Sequence, residues 1–313
     1  MTQETIKQTV VGDISREEAK ERIDKSLKHS VKDGAWWSVM VGSGESYLSA
    51  FALFLKATEA QLGLLMSLPQ LIASLVQLLA VKLTNLFESR KKIVVTFAFI
   101  QGFVWLLIIG FSYITQSVWV LILLASLYFA LGALSGPAWI SWMGDLVPEN
   151  MRGRYFGMRN RVSGFVAFIA TISGGLILDF VSNIDTHLAF SIVFSIAFFG
   201  RMISSYYLTL KFEPHVEITE PKEYPFKQFL KELWSNHFGI FSLYTNLMMF
   251  AVFISAPFVA IIWLEYLGFS YLQYMVVLSA STVISFVTMT YWGTHADSYG
   301  NKTFYGCRAI YSH

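Results

Sequence analysis

The chain reads as an all-α polytopic membrane protein, and three observations carry that reading. Of its 313 residues 55% are apolar and only 14% charged, where a soluble domain carries about 25% charged residues. Apolar runs of about 20 residues, the length that crosses a hydrocarbon layer of about 30 Å, recur along the chain. All but two of the 23 Lys and Arg residues fall in alternate connections between those runs. The low charge excludes an ordinary soluble enzyme, a disordered chain and a coiled coil, because surface scales with mass and must face something other than water here. A single cysteine, Cys307, excludes an intramolecular disulfide framework and a Cys-rich metal site. The histidines are scattered, so no metal is expected, and a net charge of +2 gives no reason to expect nucleic acid. No cofactor is implied.

The runs fall at 35–55, 59–81, 92–112, 118–142, 162–181, 188–210, 238–264 and 271–293. Each should be helical, because in lipid every backbone polar group needs a partner within its own segment. None alternates polar and apolar residues as a barrel strand does. Residues 1–34 are polar, and Ser15-Arg16-Glu17-Glu18 reads as a capping box opening a short, solvated, cytoplasmic helix. Lys56 and Arg201 are the two basic residues off the common side. The positive-inside rule then places the N-terminus in the cytoplasm of a cell (plasma or inner) membrane. Between 211 and 237 lies a linker with Pro214, Pro221 and Pro225, followed by Phe226, Phe229, Leu230, Leu233 and Trp234 at helical spacing. That stripe suits an amphipathic helix on the membrane surface. The expected organisation is a polar segment at 1–34, a six-helix bundle at 35–210, a linker at 211–237 and a partial second bundle at 238–313.

The second unit restarts the first. Thr58-Glu59-Ala60-Gln61 opens the second run and Ser270-Tyr271-Leu272-Gln273 the eighth, at an offset of 212. Each begins with a hydroxyl suited to an N-cap. Arg90-Lys91 and Asn301-Lys302 correspond at an offset of 211. A repeating unit of six spans follows, and repeats of this kind place a substrate site at their interface.

At 293–302, Gly293, Ala296, Asp297, Gly300 and Lys302 match a loop signature of the major facilitator superfamily, and the chain resembles that family on these residues. The family carries this loop between helices 2 and 3 and again between helices 8 and 9. The first copy is degraded: Ser89 stands at the Gly place and Leu86 at the Asp place, while Arg90, Lys91 and Lys92 keep the charge. Asp145, Pro148, Arg152, Gly153 and Arg154 are similar to the segment that members carry after helix 4. The resemblance implies a secondary transporter of a small solute, with a proton or other ion as a possible coupling partner. It assigns gating roles on the cytoplasmic face to Gly293, Asp297, Gly300, Lys302, Asp145, Arg152, Gly153 and Arg90. A proton-coupled drug exporter is disfavoured, since run 4 lacks an Arg and Ala170-Thr171 stand where the antiporter signature has Gly-Pro. The family has twelve spans. This chain stops eleven residues after Lys302, where a ninth should begin, so a truncated permease is expected, with a natural eight-span protein as the alternative.

Among intramembrane polar groups, Glu45 in Gly42-Ser43-Gly44-Glu45-Ser46-Tyr47 is the foremost candidate for a substrate or proton site. A carboxylate at that depth costs several kcal/mol unless hydrated, paired or protonated, and the resemblance puts helix 1 on the central cavity. Tyr47 and Asn246 are further candidates for the pathway. Arg201 is expected in structural pairing or snorkelling, because the family places helix 6 peripherally. Two functions remain: a permease working by alternating access, or a non-transporting, permease-derived membrane protein or inactive fragment. A membrane enzyme would need clustered catalytic groups at an interface, and the sequence offers none.

Overall fold

The computed structural model describes residues 16–148, 151–214 and 237–278, with 231, 234, 280, 283, 284 and 288. The loop signature at Gly293, Asp297, Gly300 and Lys302, the stripe residues Phe226, Phe229, Leu230 and Leu233, and Ser15 lie outside the described residues.

The chain opens with α1 (Arg16–Ser43), a short 3-10 turn (Glu45–Tyr47) and α2 (Leu48–Phe54). Then come α3 (Glu59–Gln77), α4 (Ala80–Phe87), α5 (Arg90–Ile114), α6 (Val118–Leu146), α7 (Arg152–Val181), α8 (Thr186–Thr209) and α9 (His237–Ile261). Five of these, α3 and α5 to α8, are long and apolar enough to cross a membrane. α1, α7 and α8 pack together, α6 packs on α3 and α5, and α5 joins α8. Leu78, Leu123, Phe180 and Ile184 are among the large apolar side chains left outward.

Lipid gives little hydrophobic drive between helices, so close approach and van der Waals packing hold such a bundle together. Gly42 supplies the approach of α1 to α7: a Cβ there would stand 2.5 Å from the Ala167 carbonyl oxygen. Gly200 does the same for α8 against α1, with the Trp36 oxygen 3.0 Å from a Cβ. One apolar cluster gathers Phe51, Trp105, Tyr128, Phe190 and Phe194. A second, at the end carrying the basic residues, gathers Ile93, Ala138, Trp142, Met143 and Tyr155.

Three boundaries differ from those the sequence suggests. α1 runs through positions 34 and 35 without a break, and Ile23, Leu27 and Val31 pack on the second cluster. Ser26 accepts from the Phe212 amide at 2.7 Å and the Tyr155 hydroxyl donates to the Leu27 carbonyl at 3.0 Å. The polar segment is thus docked from Ala19 onward, because Ala19, Ser26 and Ser30 alternate on its inward face with the apolar Ile23, Leu27 and Val31. The second run stops at Gln77, and α4 is a separate short helix capped by Glu88, whose φ of 51° is left-handed. The arginines 152–161 stand on the first turns of α7 rather than in a loop. Arg152 reaches back to the Gly144 carbonyl at 2.8 Å, satisfying the end of α6.

The repeated segments adopt one arrangement. Thr58 accepts from the Gln61 amide at 3.3 Å while the Gln61 side chain accepts from the Thr58 amide at 2.9 Å. Ser270 and Gln273 make the same reciprocal pair at 3.2 and 2.8 Å. Both are capping boxes, each satisfying two amides that a helix start leaves without partners.

Candidate solute site

The first span is not one helix. It breaks at Gly44, where a Cβ would meet the Trp105 ring at 2.5 Å. The break frees backbone groups that lipid cannot satisfy. The Ser46 hydroxyl takes up the Val41 carbonyl at 3.2 Å, and the Tyr47 amide bonds Gly44 at 3.0 Å. Glu45 heads the 3-10 turn, and its Oε1 accepts the Tyr128 hydroxyl of α6. A carboxylate is therefore held at an interruption of the helix ladder, the arrangement by which discontinuous helices build ion and solute sites.

Glu45 lines a cavity of about 560 Å³ between α1 and α6, shared with Gln101, Tyr128 and Arg201. Gly132, Ala133 and Gly136 give it room on the α6 side. Gly132 is in close approach to the Gln101 amide, while nothing lies within 4 Å of a Cβ at Gly136. The GxxxG pattern is thus half packing surface and half cavity wall.

Arg201 is 6% exposed and donates through Nη1 to Ser204 at 3.3 Å. It stands in the cavity wall rather than at the periphery, because α8 packs on both α1 and α5 and turns this face inward. Gln101 is 4% exposed; its amide nitrogen donates to the Tyr128 carbonyl at 3.1 Å, and its oxygen has no partner among the described residues. Sequence reasoning passed over Gln101 and Tyr128, although a lone Gln deep in an apolar run was a visible signal.

The other pathway candidates are elsewhere. Tyr47 is fully buried, donates to the Thr171 carbonyl and packs on Gly174 and Gly175. Its hydroxyl is committed to α7. Asn246 is exposed on α9 and bonds the Ser242 carbonyl at 2.7 Å, one turn back on its own helix. Neither is among the residues lining the cavity.

Toward the basic end the cavity reaches Asp33 and Arg159. Asp33 is held by Lys211 at 3.0 Å, by the Ser204 hydroxyl at 2.8 Å and by Arg159 at 3.8 Å. Lys211 is fully buried and lies 5.2 Å from the Trp142 ring centroid, and Arg159 lies 4.6 Å from that of Trp139. Burial pushes the Lys211 ammonium below its usual value and Asp33 pulls it back. Nearby, Arg90 pairs with Asp145 and donates to Ser141 at 2.8 Å. Arg159, on the same helix as Arg152, belongs to Asp33 rather than to Asp145. Glu213 accepts from Ser89 at 2.6 Å and from the Lys91 amide at 3.1 Å, fixing the start of the linker to the start of α5. Among the described residues nothing lies within 4 Å of a Cβ at Gly153, so none of them requires glycine there by packing. Among the described residues no cluster of His, Cys, Asp or Glu could hold a metal.

The family model of the Major Facilitator Superfamily matches residues 35–310. No curated protein and no solved structure matches the chain significantly. The match takes in every element from the membrane part of α1 onward, and with it the broken first span, the cavity and both capping boxes. The chain is a multi-pass membrane protein and belongs to the Major Facilitator Superfamily of transporters.

Proposed function

We propose that the chain is a secondary active transporter, a permease that moves a small solute across the cell membrane by alternating access, with its N-terminus in the cytoplasm. The observation that carries the reading is the Glu45–Tyr128 pair at the break in the first span, facing a cavity of about 560 Å³. Glu45 is the group that engages the coupling proton or the solute. Its hydrogen-bond partner stands on α6 while it stands between α1 and α2, so a change in its charge is felt by helices on both sides of the cavity. The lining mixes acidic, basic, amide and aromatic groups, which suits a polar solute better than a lipid. Asp145, Arg90, Arg152 and Gly153, with Gly293, Asp297, Gly300 and Lys302, take part in closing the cytoplasmic face. The 21 Lys and Arg residues on that face, counted as all 23 except Lys56 and Arg201, support the orientation.

The test is solute-dependent proton movement. The purified chain is reconstituted in vesicles holding a pH-sensitive dye, and a panel of small anionic, cationic, zwitterionic and neutral solutes is added. At least one solute should drive dye response in the wild type and none in Glu45→Gln, which keeps size and hydrogen bonding. Solute uptake that proceeds equally in Glu45→Gln would remove Glu45 from the mechanism. No response or uptake with any class would refute the transporter reading for this chain.

A further inference from the structure

We infer that the solute is a small organic anion, bound through its carboxylate to the open edge of Arg201. The inference rests on the transporter reading and narrows its substrate class.

Three observations lead there. A guanidinium offers one planar edge formed by Nε and Nη2, which matches a carboxylate with two parallel hydrogen bonds. Arg201 spends Nη1 on Ser204, and neither Nε nor Nη2 has a hydrogen-bond partner among the described residues. The side-on edge is therefore open to a carboxylate, while the end-on edge is partly taken by Ser204. Arg201 also has no carboxylate within 4.0 Å among the described residues, although it is 94% buried and shares the cavity with Glu45. A buried charge with no counter-charge in direct contact is expensive, so an anion that supplies one gains more here than at the surface. Finally, the unpartnered Gln101 oxygen is a second polar atom of the same wall. It can accept from a hydroxyl or amide on the same solute.

The surrounding charges agree. Asp33 is already held by Lys211 and Arg159, so that cluster has one positive charge in excess at the cavity's other end. Glu45 is the only acidic group in the wall without a cationic partner within 4.0 Å among the described residues. Lys211, Arg159 and Arg201 carry three positive charges against the two of Asp33 and Glu45, so one bound anion cancels the excess. A zwitterion placing its ammonium on Glu45 is the competing occupant, and the test separates the two.

The experiment uses the purified full chain in detergent and four ligands of one ring size: benzoate, benzamide, benzylammonium and phenylglycine. The readout is the thermal midpoint at rising ligand concentration. Benzoate should raise the midpoint by about 2 °C or more at saturating concentration, and benzamide and benzylammonium should not. In Arg201→Gln the benzoate shift should vanish. In Arg201→Lys, which keeps the charge and loses the planar edge, the concentration for half the shift should rise about ten-fold. If Arg201→Gln does not fold, the Arg201→Lys comparison decides alone. A larger shift with phenylglycine than with benzoate overturns the anion in favour of a zwitterion. Shifts with benzamide or benzylammonium instead, no shift with any ligand, or a benzoate shift unchanged in Arg201→Lys overturns the assignment to Arg201. Proton movement driven by neutral solutes through Glu45 would leave the transporter reading standing while this inference fell.

Discussion

Replacing Asp33 by Asn should be among the most damaging conservative changes in the protein. The Asp33 and Lys211 side chains are 4% and 0% exposed and 3.0 Å apart. At an effective dielectric constant of about 20, that separation is worth about 5 kcal/mol of attraction. Removing one member of a buried pair strands the other and costs about 3–5 kcal/mol. Lys211 keeps the Trp142 and Trp139 faces at 5.2 and 5.7 Å, each worth about 1 kcal/mol, so the lower end, about 3 kcal/mol, is expected for Asp33→Asn. Lys211→Met should cost less, about 1–2 kcal/mol, because Asp33 retains Ser204 and Arg159. The double variant should return to within about 1 kcal/mol of wild type, since an uncharged pair has nothing to strand. The assay is unfolding in mixed micelles of rising sodium dodecyl sulfate content, followed by tryptophan fluorescence. The pH dependence has a definite sign. The folded Lys211 ammonium lies below its unfolded value of 10.5, so the unfolded chain binds more protons in that window and stability rises with pH toward 10.5. Loss of Asp33 lowers the folded value further, so the Asp33→Asn deficit should shrink as pH rises from 7 to 10. A deficit below about 0.5 kcal/mol at pH 7, or one that grows with pH, refutes the account of the cluster.

Four further outcomes follow from particular contacts. Gly42→Val should lower the thermal midpoint by several degrees because a Cβ meets the Ala167 carbonyl at 2.5 Å, whereas Gly63→Ala, with nothing within 4 Å, should be neutral or stabilising by up to about 1 kcal/mol. Thr58→Ala should cost about 1 kcal/mol by removing one capping box, measured in the same micelles. Burial first, then Lys32 and Lys211, hold His29 below its usual 6.5, so stability present above about pH 6.5 should fall as pH drops below it. His29→Gln should flatten that fall, read from thermal midpoints between pH 7.5 and 5. Arg90→Ala should cost about 1–3 kcal/mol by stranding Asp145, and exchanging the two residues should recover part of the loss.

The five spans from the second run to the sixth were legible because 20 apolar residues bounded by charge admit little else. So were the two helix starts at Thr58 and Ser270, whose hydroxyl and glutamine residues fold into matching caps. Glu45 was legible as a carboxylate in an apolar run. What it faces was not, because a broken helix aims side chains differently from a continuous one, and Gly44 alone does not announce the break. Arg201 was visible, yet its role depends on α8 turning one face toward α1 and α5, a matter of packing angle. Asp33 and the stripe from Ala19 were hidden by composition: serines and one aspartate against buried Lys211 look like solvated surface until the opposing charges are in place. Tyr47 and Asn246 were drawn to the site by position along their helices, and the rotation of those helices sends them elsewhere.

The central claim, alternating access to the cavity, is tested most directly by one cysteine. With Cys307 replaced by Ser, Ala133→Cys places a thiol in the cavity wall. Its rate of reaction with a membrane-impermeant maleimide is measured from each side of sealed vesicles, with and without a pH gradient and solute. The account predicts reaction from both sides, one rate rising as the other falls when gradient and solute are applied. Reaction from a single side at an unchanging rate under every condition would contradict it.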